Sequence, residues 1–312
     1  MSGKRILLVG TSNMELSMNM YELPVAGATA IDDGGVAYTP GGNGANAAIA
    51  FKRLGAESIF CTKLGADLHG QKLYGYFKDA GLNTSYIKVD HDFPTGFSAI
   101  LKEANKEPRT VYYPGANMRI TRENLADAFS SRPDALYLNF GVSFDTALTA
   151  AKMAASKSVP IFIDASPADK NFPLEALPEV EIFSPNENET LEFTGILPAG
   201  ADSSLRAALM LYKRLKCKYV VIKQGARGVF VYNGKHYQMI PPYRPDKVVD
   251  TAASGDAFTA ALTLEYLKTG DIMLAAKYAA AAGALAVSRL GASESLPSEA
   301  EVIDFIRKRP IQ

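Results

Sequence analysis

The 312-residue chain contains no tryptophan, two cysteines and three histidines, and its 33 Lys and Arg residues balance 33 Asp and Glu. Each scarcity removes a class of function. Cys61 and Cys217 cannot build a disulfide framework, which points to a reducing, cytoplasmic setting. His69, His91 and His236 are scattered without metal-ligand spacing, so neither a zinc site nor a Cys–His nucleophile is supported. A formal charge of zero argues against nucleic-acid binding and against an anionic membrane surface, because both demand a basic excess or patch. No run reaches the ~18 uninterrupted apolar residues of a membrane span. The alanine-rich stretch 275–287 holds Lys277 and reads as a buried helix. The apolar run 6–10 is too short for a secretory signal. What is abundant is ordinary: 47 % hydrophobic and 21 % charged residues suit a globular protein with a large core and exclude general disorder.

Short apolar runs alternate with helical patterns. Residues 6–10, 59–63, 136–140, 161–164, 180–184 and 219–223 read as buried strands, and 45–54, 68–80, 144–156 and 205–216 as helices between them. This alternation predicts an α/β fold, with a mainly parallel sheet covered by helices on both faces and ligands beyond the carboxyl ends of the strands. Two regions break the rhythm. Segments 14–20 and 36–38, and then 96–102 and 109–113, read as strands without helices between them, the second pair joined by a turn at Lys106-Glu107-Pro108. They are expected to form a small inserted β lid (12–40 and 93–117) on an α/β nucleotide- and substrate-binding domain (1–11, 41–92 and 118–312). Edge strands of the main sheet are the alternative.

Four segments carry possible chemistry. In Asp250-Thr251-Ala252-Ala253-Ser254-Gly255-Asp256, small residues lead into a helix. Such a start offers unpaired N–H groups and a partial positive charge to an anion. Asp256 would sit in the same field; taken alone, it reads as a helix cap. In Pro40-Gly41-Gly42-Asn43-Gly44-Ala45-Asn46, the glycines allow close backbone approach, and Asn43 and Asn46 offer amides to hydroxyl groups. The formal dinucleotide match there lacks its strand–loop–helix context. In Ser184-Pro185-Asn186-Glu187-Asn188-Glu189, Asn186 and Glu189 share a face and suit a hydrated magnesium, or equally an acidic helix start. In Lys223-Gln224-Gly225-Ala226-Arg227-Gly228, glycines and two cations would receive nucleotide phosphates, or form a turn with solvated charges. No P-loop string exists.

Together and in this order, the segments resemble the ribokinase-like (PfkB) family of carbohydrate kinases, nearly end to end. Gly41-Gly42-Asn43-Gly44-Ala45-Asn46 and Asp250-Thr251-Ala252-Ala253-Ser254-Gly255-Asp256 look like its two signatures. Gly10-Thr11-Ser12-Asn13-Met14-Glu15 and Gly115-Ala116-Asn117 are similar to the ribokinase branch. The resemblance implies Asp256 as catalytic base, with the amides at Ala253, Ser254 and Gly255 as an anion hole. It implies Asn13, Glu15, Gly41, Gly42, Asn43 and Asn46 around a sugar. Asn186, Lys223, Gly225, Ala226, Gly228 and Ala280 would lie along ATP, with Asn186 and Glu189 organising Mg2+. A monovalent cation such as K+ is implied near Asp250, Ala252, Ala286, Arg289, Gly291 and Ser295. Departures concern the sugar side: Glu15 stands where Asp is usual, Asn43 where Lys is usual, and Gly141-Val142 where an acid is expected. On the nucleotide side Lys223 replaces a hydroxyl residue and Ala280 a polar one, while Ser254 stands for Ala or Gly.

The expected reaction is therefore transfer of the ATP γ-phosphoryl group to a primary hydroxyl of a small sugar, ribose first. A ketohexose, a keto-deoxy sugar acid or a nucleoside is the alternative acceptor, with Tyr112 or Tyr113 as a wall for a base. A sugar-binding regulator without catalysis is a third reading. The exposed edges of the lid predict a homodimer formed through it.

Overall fold

A computed structural model describes residues 3–31, 34–104 and 108–309. In chain order the first half holds β1 (Arg5–Val9), β2 (Asn13–Met20), β3 (Val36–Gly41), α1 (Asn43–Arg53), β4 (Glu57–Gly65), α2 (Leu68–Asp79) and β5 (Ile87–Asp90). There follow β6 (Gly96–Glu103), β7 (Arg109–Tyr113), α3 (Arg122–Phe129), β8 (Ala135–Asn139), α4 (Phe144–Ser156) and β9 (Ile161–Asp164). The second half adds β10 (Val180–Ser184), α5 (Glu187–Thr194), α6 (Ala201–Arg214), β11 (Cys217–Lys223), β12 (Val229–Tyr232) and β13 (Tyr237–Ile240). Three helices close the chain: α7 (Ser254–Thr269), α8 (Ile272–Ala286) and α9 (Glu299–Lys308).

Nine strands form one sheet in the order β13-β12-β11-β10-β9-β8-β1-β4-β5. From β11 to β5 every pairing is parallel; only the β11-β12-β13 edge is antiparallel. Side chains alternate between the faces of a strand, and β1 shows the consequence. Ile6 and Leu8 enter one buried cluster with α1, α7 and α8, while Leu7 and Val9 enter another with α3 and α4. Both faces are therefore covered, which is why these strands read as unbroken apolar runs. Helix α7 is buried almost all round, from Asp256 through Leu264, and so shows no amphipathic stripe.

The irregular segments form a separate four-stranded sheet, β3-β2-β6-β7, rather than edges of the main one. Its outer pairs are antiparallel, but its central pair β2–β6 is parallel, since the main-sheet elements from α1 to β5 lie between these strands in sequence. Lys106 and Glu107 of the expected turn lie outside the described residues. Helix starts differ modestly from expectation: α1 begins at Asn43 and α6 at Ala201, earlier than the apolar pattern alone indicated.

Candidate active site

Helix α7 opens without a polar cap. Its N-cap Ala253 lies in the left-handed region (φ 54°) and has no side-chain donor or acceptor. The first amides of a helix find no helical carbonyl. Ser254 is partly an exception to the expected anion hole. Its amide donates to the Thr251 carbonyl (3.4 Å), and its hydroxyl donates to the same atom (2.8 Å). The hydroxyl is thus turned back along the loop; among the described residues no bond outside the helix is shown for the amides of Ala253, Gly255 and Asp256.

Asp256 sits in the first turn of α7 and is 6 % exposed. Its Oδ2 accepts from Asn46 Nδ2 (3.0 Å), the amide that α1 carries across to it. Among the described residues, Asn46 Oδ1 is a buried acceptor with no partner. Burial pushes the Asp256 carboxyl well above the usual carboxylate range; the negative Asp164 adds to this, whereas the Asn46 bond and Lys223 oppose it. The arrangement brings a strongly basic carboxylate and an open amide oxygen together, a pair that suits a hydroxyl group.

Beside this turn lies a buried charge cluster. Lys223, at the end of β11, donates to Asp164 Oδ2 (3.0 Å) and to Thr259 Oγ1 (3.3 Å). Thr259, one turn into α7, itself donates to Asp164 Oδ2 (2.7 Å). Lys223 Nζ stands 3.8 Å from where a Cβ on Gly255 would be, which places the ammonium at the start of α7. Neither Asp164 nor Thr259 carries a local motif, and the sequence reading missed both.

The expected sugar residues gather at the junction of lid and body. Asn13, Gly41 and Gly96 are in register across β3-β2-β6. Asn13 Oδ1 accepts from Asn117 Nδ2 (2.8 Å), and Asn43 Nδ2 donates to Ser166 Oγ. Glu15 folds back against Gly41 and accepts the Gly42 amide (3.0 Å); burial raises its pKa despite that bond. Gly44 explains the small residues here. A Cβ on it would lie 2.6 Å from Gly10 C and from Thr11 N, so only glycine lets α1 start against the end of β1.

Asn186 and Glu189 form a capping box at the start of α5. Glu189 accepts from Asn186 N (2.7 Å) and Nδ2 (2.9 Å), and Asn186 Oδ1 accepts from Glu189 N (2.8 Å). Both therefore serve the helix start, as the plainer alternative held. Burial lifts the Glu189 carboxyl to about 7, partly offset by Lys223. No group of three or more His, Cys, Asp or Glu able to hold a metal occurs among the described residues. That donor set fits Mg2+ only in its usual hydrated form, through water and substrate phosphates.

The turn Gly225–Arg227 follows β11 directly, with Gly225 at φ 52° and Gly228 at φ 92°. The Arg227 guanidinium pairs with Glu187 and donates to the Pro198 carbonyl (3.1 Å), in keeping with a turn that carries charges at its surface. Ala280 is half-buried on α8, whose Gly283 packs against the Ser254 carbonyl. Of the residues expected around a monovalent cation, the structure joins Asp250, Ala252 and Gly291. Asp250 accepts the amides of Ala252 (3.0 Å) and Gly291 (3.3 Å), tying the two loops together. The Arg289 guanidinium turns away to Glu301 (2.7 Å), leaving only its main chain for that site. Ala286 ends α8, and the Ser295 hydroxyl donates to Ala292 O (2.7 Å). The contacts shown for the Asp250 carboxylate are backbone amides, and the Ala286 carbonyl accepts the Arg289 amide (3.1 Å).

A mainly parallel sheet with a buried carboxylate at a helix start and an ammonium beside it suits a small-molecule phosphotransferase. The pfkB family carbohydrate kinase model matches residues 4–299, and the chain belongs to that family. It is a sugar kinase, a phosphotransferase with an alcohol acceptor, of the ribokinase-like fold. The bifunctional ribokinase/ribose-5-phosphate isomerase A of Fructilactobacillus sanfranciscensis is 31 % identical over 309 residues, 98 % of this chain. The chain spans only 56 % of that relative's length. The ribokinase of Arabidopsis thaliana is 27 % identical over 311 residues, covering 97 % of this chain and 81 % of the relative. The structure of Arabidopsis thaliana ribokinase complexed with ribose and ATP superposes with a TM-score of 0.86 at 24 % identity, covering 98 % and 99 % of the two chains. Among the described residues no helix is long and apolar enough to cross a membrane.

Proposed function

We propose that the chain transfers the γ-phosphoryl group of ATP to a primary hydroxyl of ribose. The observation that carries this reading is the Asp256–Asn46 pair: a buried, strongly basic carboxylate at an uncapped helix start, bonded to an amide whose oxygen is left open. A sugar hydroxyl donating to Asp256 would transfer its proton as the new P–O bond forms, an effect of order 10²–10⁴ in rate. The amides of Ala253, Gly255 and Asp256 and the Lys223 ammonium would receive charge growing on the phosphate oxygens. Asn13, Glu15, Gly41, Gly42 and Asn43 would hold the other hydroxyls, and Gly225, Ala226, Gly228 and Ala280 the nucleotide. Bound Mg2+ would neutralise phosphate charge, with Asn186 and Glu189 orienting its waters. Potassium, on Asp250 and the carbonyls of Ala252, Ala286, Arg289 and Gly291 near Ser295, would steady the loop ahead of α7. Segments 12–40 and 93–117 would act as the lid that excludes water.

The lid also supports the homodimer. Residues in register point to the same face of a sheet. Asn13 and Glu15 of β2 and Ser98 and Tyr112 of β6 and β7 therefore look towards the cleft. Tyr38, Leu16, Ala99 and Val111 form a row on the opposite face. Tyr38 and Val111 remain 59 % and 67 % exposed, and a second lid would cover them. The two buried free thiols accord with a cytoplasmic location.

One observation favours a larger acceptor. A cavity of about 250 Å³ is lined by Tyr112, Gly141, Phe140, Phe144, Phe172 and Pro167, next to Ser166 and its partner Asn43. It lies where the acidic sugar ligand was missed, and its aromatic walls suit the base of a nucleoside. A coupled ADP-release assay with Mg2+, K+ and a panel of ribose, ketohexoses, sugar acids and nucleosides tests both readings. Ribose with the highest kcat/KM is the expected result, a preferred nucleoside would replace it, and binding without turnover would remove the kinase assignment.

A further inference from the structure

The turn at residues 164–166 belongs to none of the motifs, yet the parts of the site meet there. Asp164 ends β9 and is 1 % exposed. Its Oδ1 accepts the Ser166 amide (3.2 Å). Its Oδ2 accepts the Lys223 ammonium (3.0 Å), the Thr259 hydroxyl (2.7 Å) and the Tyr137 hydroxyl (3.4 Å). Ser166 in turn accepts from Asn43 at the head of α1. One carboxylate therefore ties together a body strand, α7 and the only cation in this cluster among the described residues.

The energetics give that carboxylate a purpose. An ammonium buried without a counter-charge loses its proton or leaves. Desolvation acts on Lys223 in that direction, but Asp164, followed by Glu189 and Asp256, outweighs it and keeps the lysine charged. A buried carboxylate with a single cation and three neutral donors also has little freedom to move, so the lysine it holds is fixed in place. Fixed charges contribute most to a transition state because they need not reorganise when charge develops.

We propose that Asp164 is a positioning residue for phosphoryl transfer: it holds the Lys223 ammonium charged and aimed at the first turn of α7 without touching either substrate. This rests on reading that turn as the phosphoryl site. Thr259 and Tyr137 brace Asp164, and Ser166 links the same turn to the sugar-side residue Asn43. The arrangement also gives a reason for the lysine that replaces a hydroxyl residue at position 223. A lysine there requires an acid at the end of the neighbouring strand but one, and Asp164 supplies it across β10.

The test measures kcat and both KM values at saturating Mg2+ for Asp164→Asn, Lys223→Met and the double variant, with melting temperatures alongside. Asp164→Asn is expected to lower kcat about ten- to a hundredfold, less than the ~10²–10³ for outright loss of one preorganised donor, because the lysine itself remains. The KM for the sugar should stay within about twofold, in keeping with an effect confined to the transition state. The double variant should be no slower than Lys223→Met alone, because Asp164 acts through the lysine. Additive losses in the double variant, or a kcat that merely follows the melting temperature, would overturn the role. Asp256→Asn separates the two levels. If it turns over normally, the reading of α7 fails and the inference with it. If it is inactive while Asp164→Asn is normal, only the positioning role fails.

Discussion

The two sheets of this molecule handle their side chains in opposite ways. In the nine-stranded sheet both faces are closed, and β8 and β9 are buried at every position. In the four-stranded sheet β3 and β7 are mostly exposed, with apolar Val36, Tyr38, Val111 and Tyr113 open to solvent. The charged groups reverse this order: Asp164, Glu189, Lys223 and Asp256 are buried or nearly so beside the large sheet, in a setting where charge is costly. The contrast divides the labour. The body concentrates buried charge where phosphate would arrive on the proposed reading, whereas the small sheet leaves apolar residues exposed on its outer face, which the proposed dimer would cover.

Breaking the lid side should produce the most visible change. Val111→Asp is expected to convert a dimer into a monomer in light scattering, since it places charge at the exposed β7 end of the apolar row. A wild-type chain that is already monomeric at micromolar concentration would remove the comparison's second half. Gly44→Ala attacks the seam between the sheets. Its methyl would meet the backbone of Gly10 and Thr11, costing about 1–3 kcal/mol as overpacking does. The KM for the sugar should rise as Asn43 and Asn46 are displaced. Unchanged unfolding and KM would show that α1 can shift freely.

The pH dependence sharpens the body side. Asp256 must be ionised to accept a proton, and its affinity for protons is raised. The acid limb of kcat/KM should therefore lie clearly above the ordinary carboxylate value of ~4. A limb at ~4 would mean that Asp256 is not the base. The same shift has a smaller thermodynamic consequence. Between the unfolded value and the raised folded one, the native state binds more protons, so stability falls as pH rises through that window. Asp256→Asn, which removes this cost, should melt at the same or a higher temperature than the wild type at neutral pH. A marked fall would show that the carboxylate supports the fold.

Much of this was legible in the sequence. Strands such as β8 and β9 announce themselves because closed faces demand unbroken apolar runs. The Asn-x-x-Glu spacing of Asn186 and Glu189 is that of a capping box, and the structure forms one. The small residues ahead of Asp256 correctly marked an uncapped helix start. Short elements such as α3 and β13 were missed, since few turns and exposed positions leave little periodicity. Asp164 was missed for a different reason. Its partners Lys223 and Thr259 lie 59 and 95 residues away, and only the sheet order brings them together. The pairing of Arg227 with Glu187 was likewise invisible in the sequence, because it depends on the same long-range assembly.

The most direct measurement is a single-turnover comparison of Asp256→Asn with wild type, at saturating ATP and sugar, with the affinity for each substrate measured separately. The account predicts near-normal binding and phosphoryl transfer slowed at least a hundredfold, the lower bound for loss of a general base. Transfer within a few fold of wild type would contradict it.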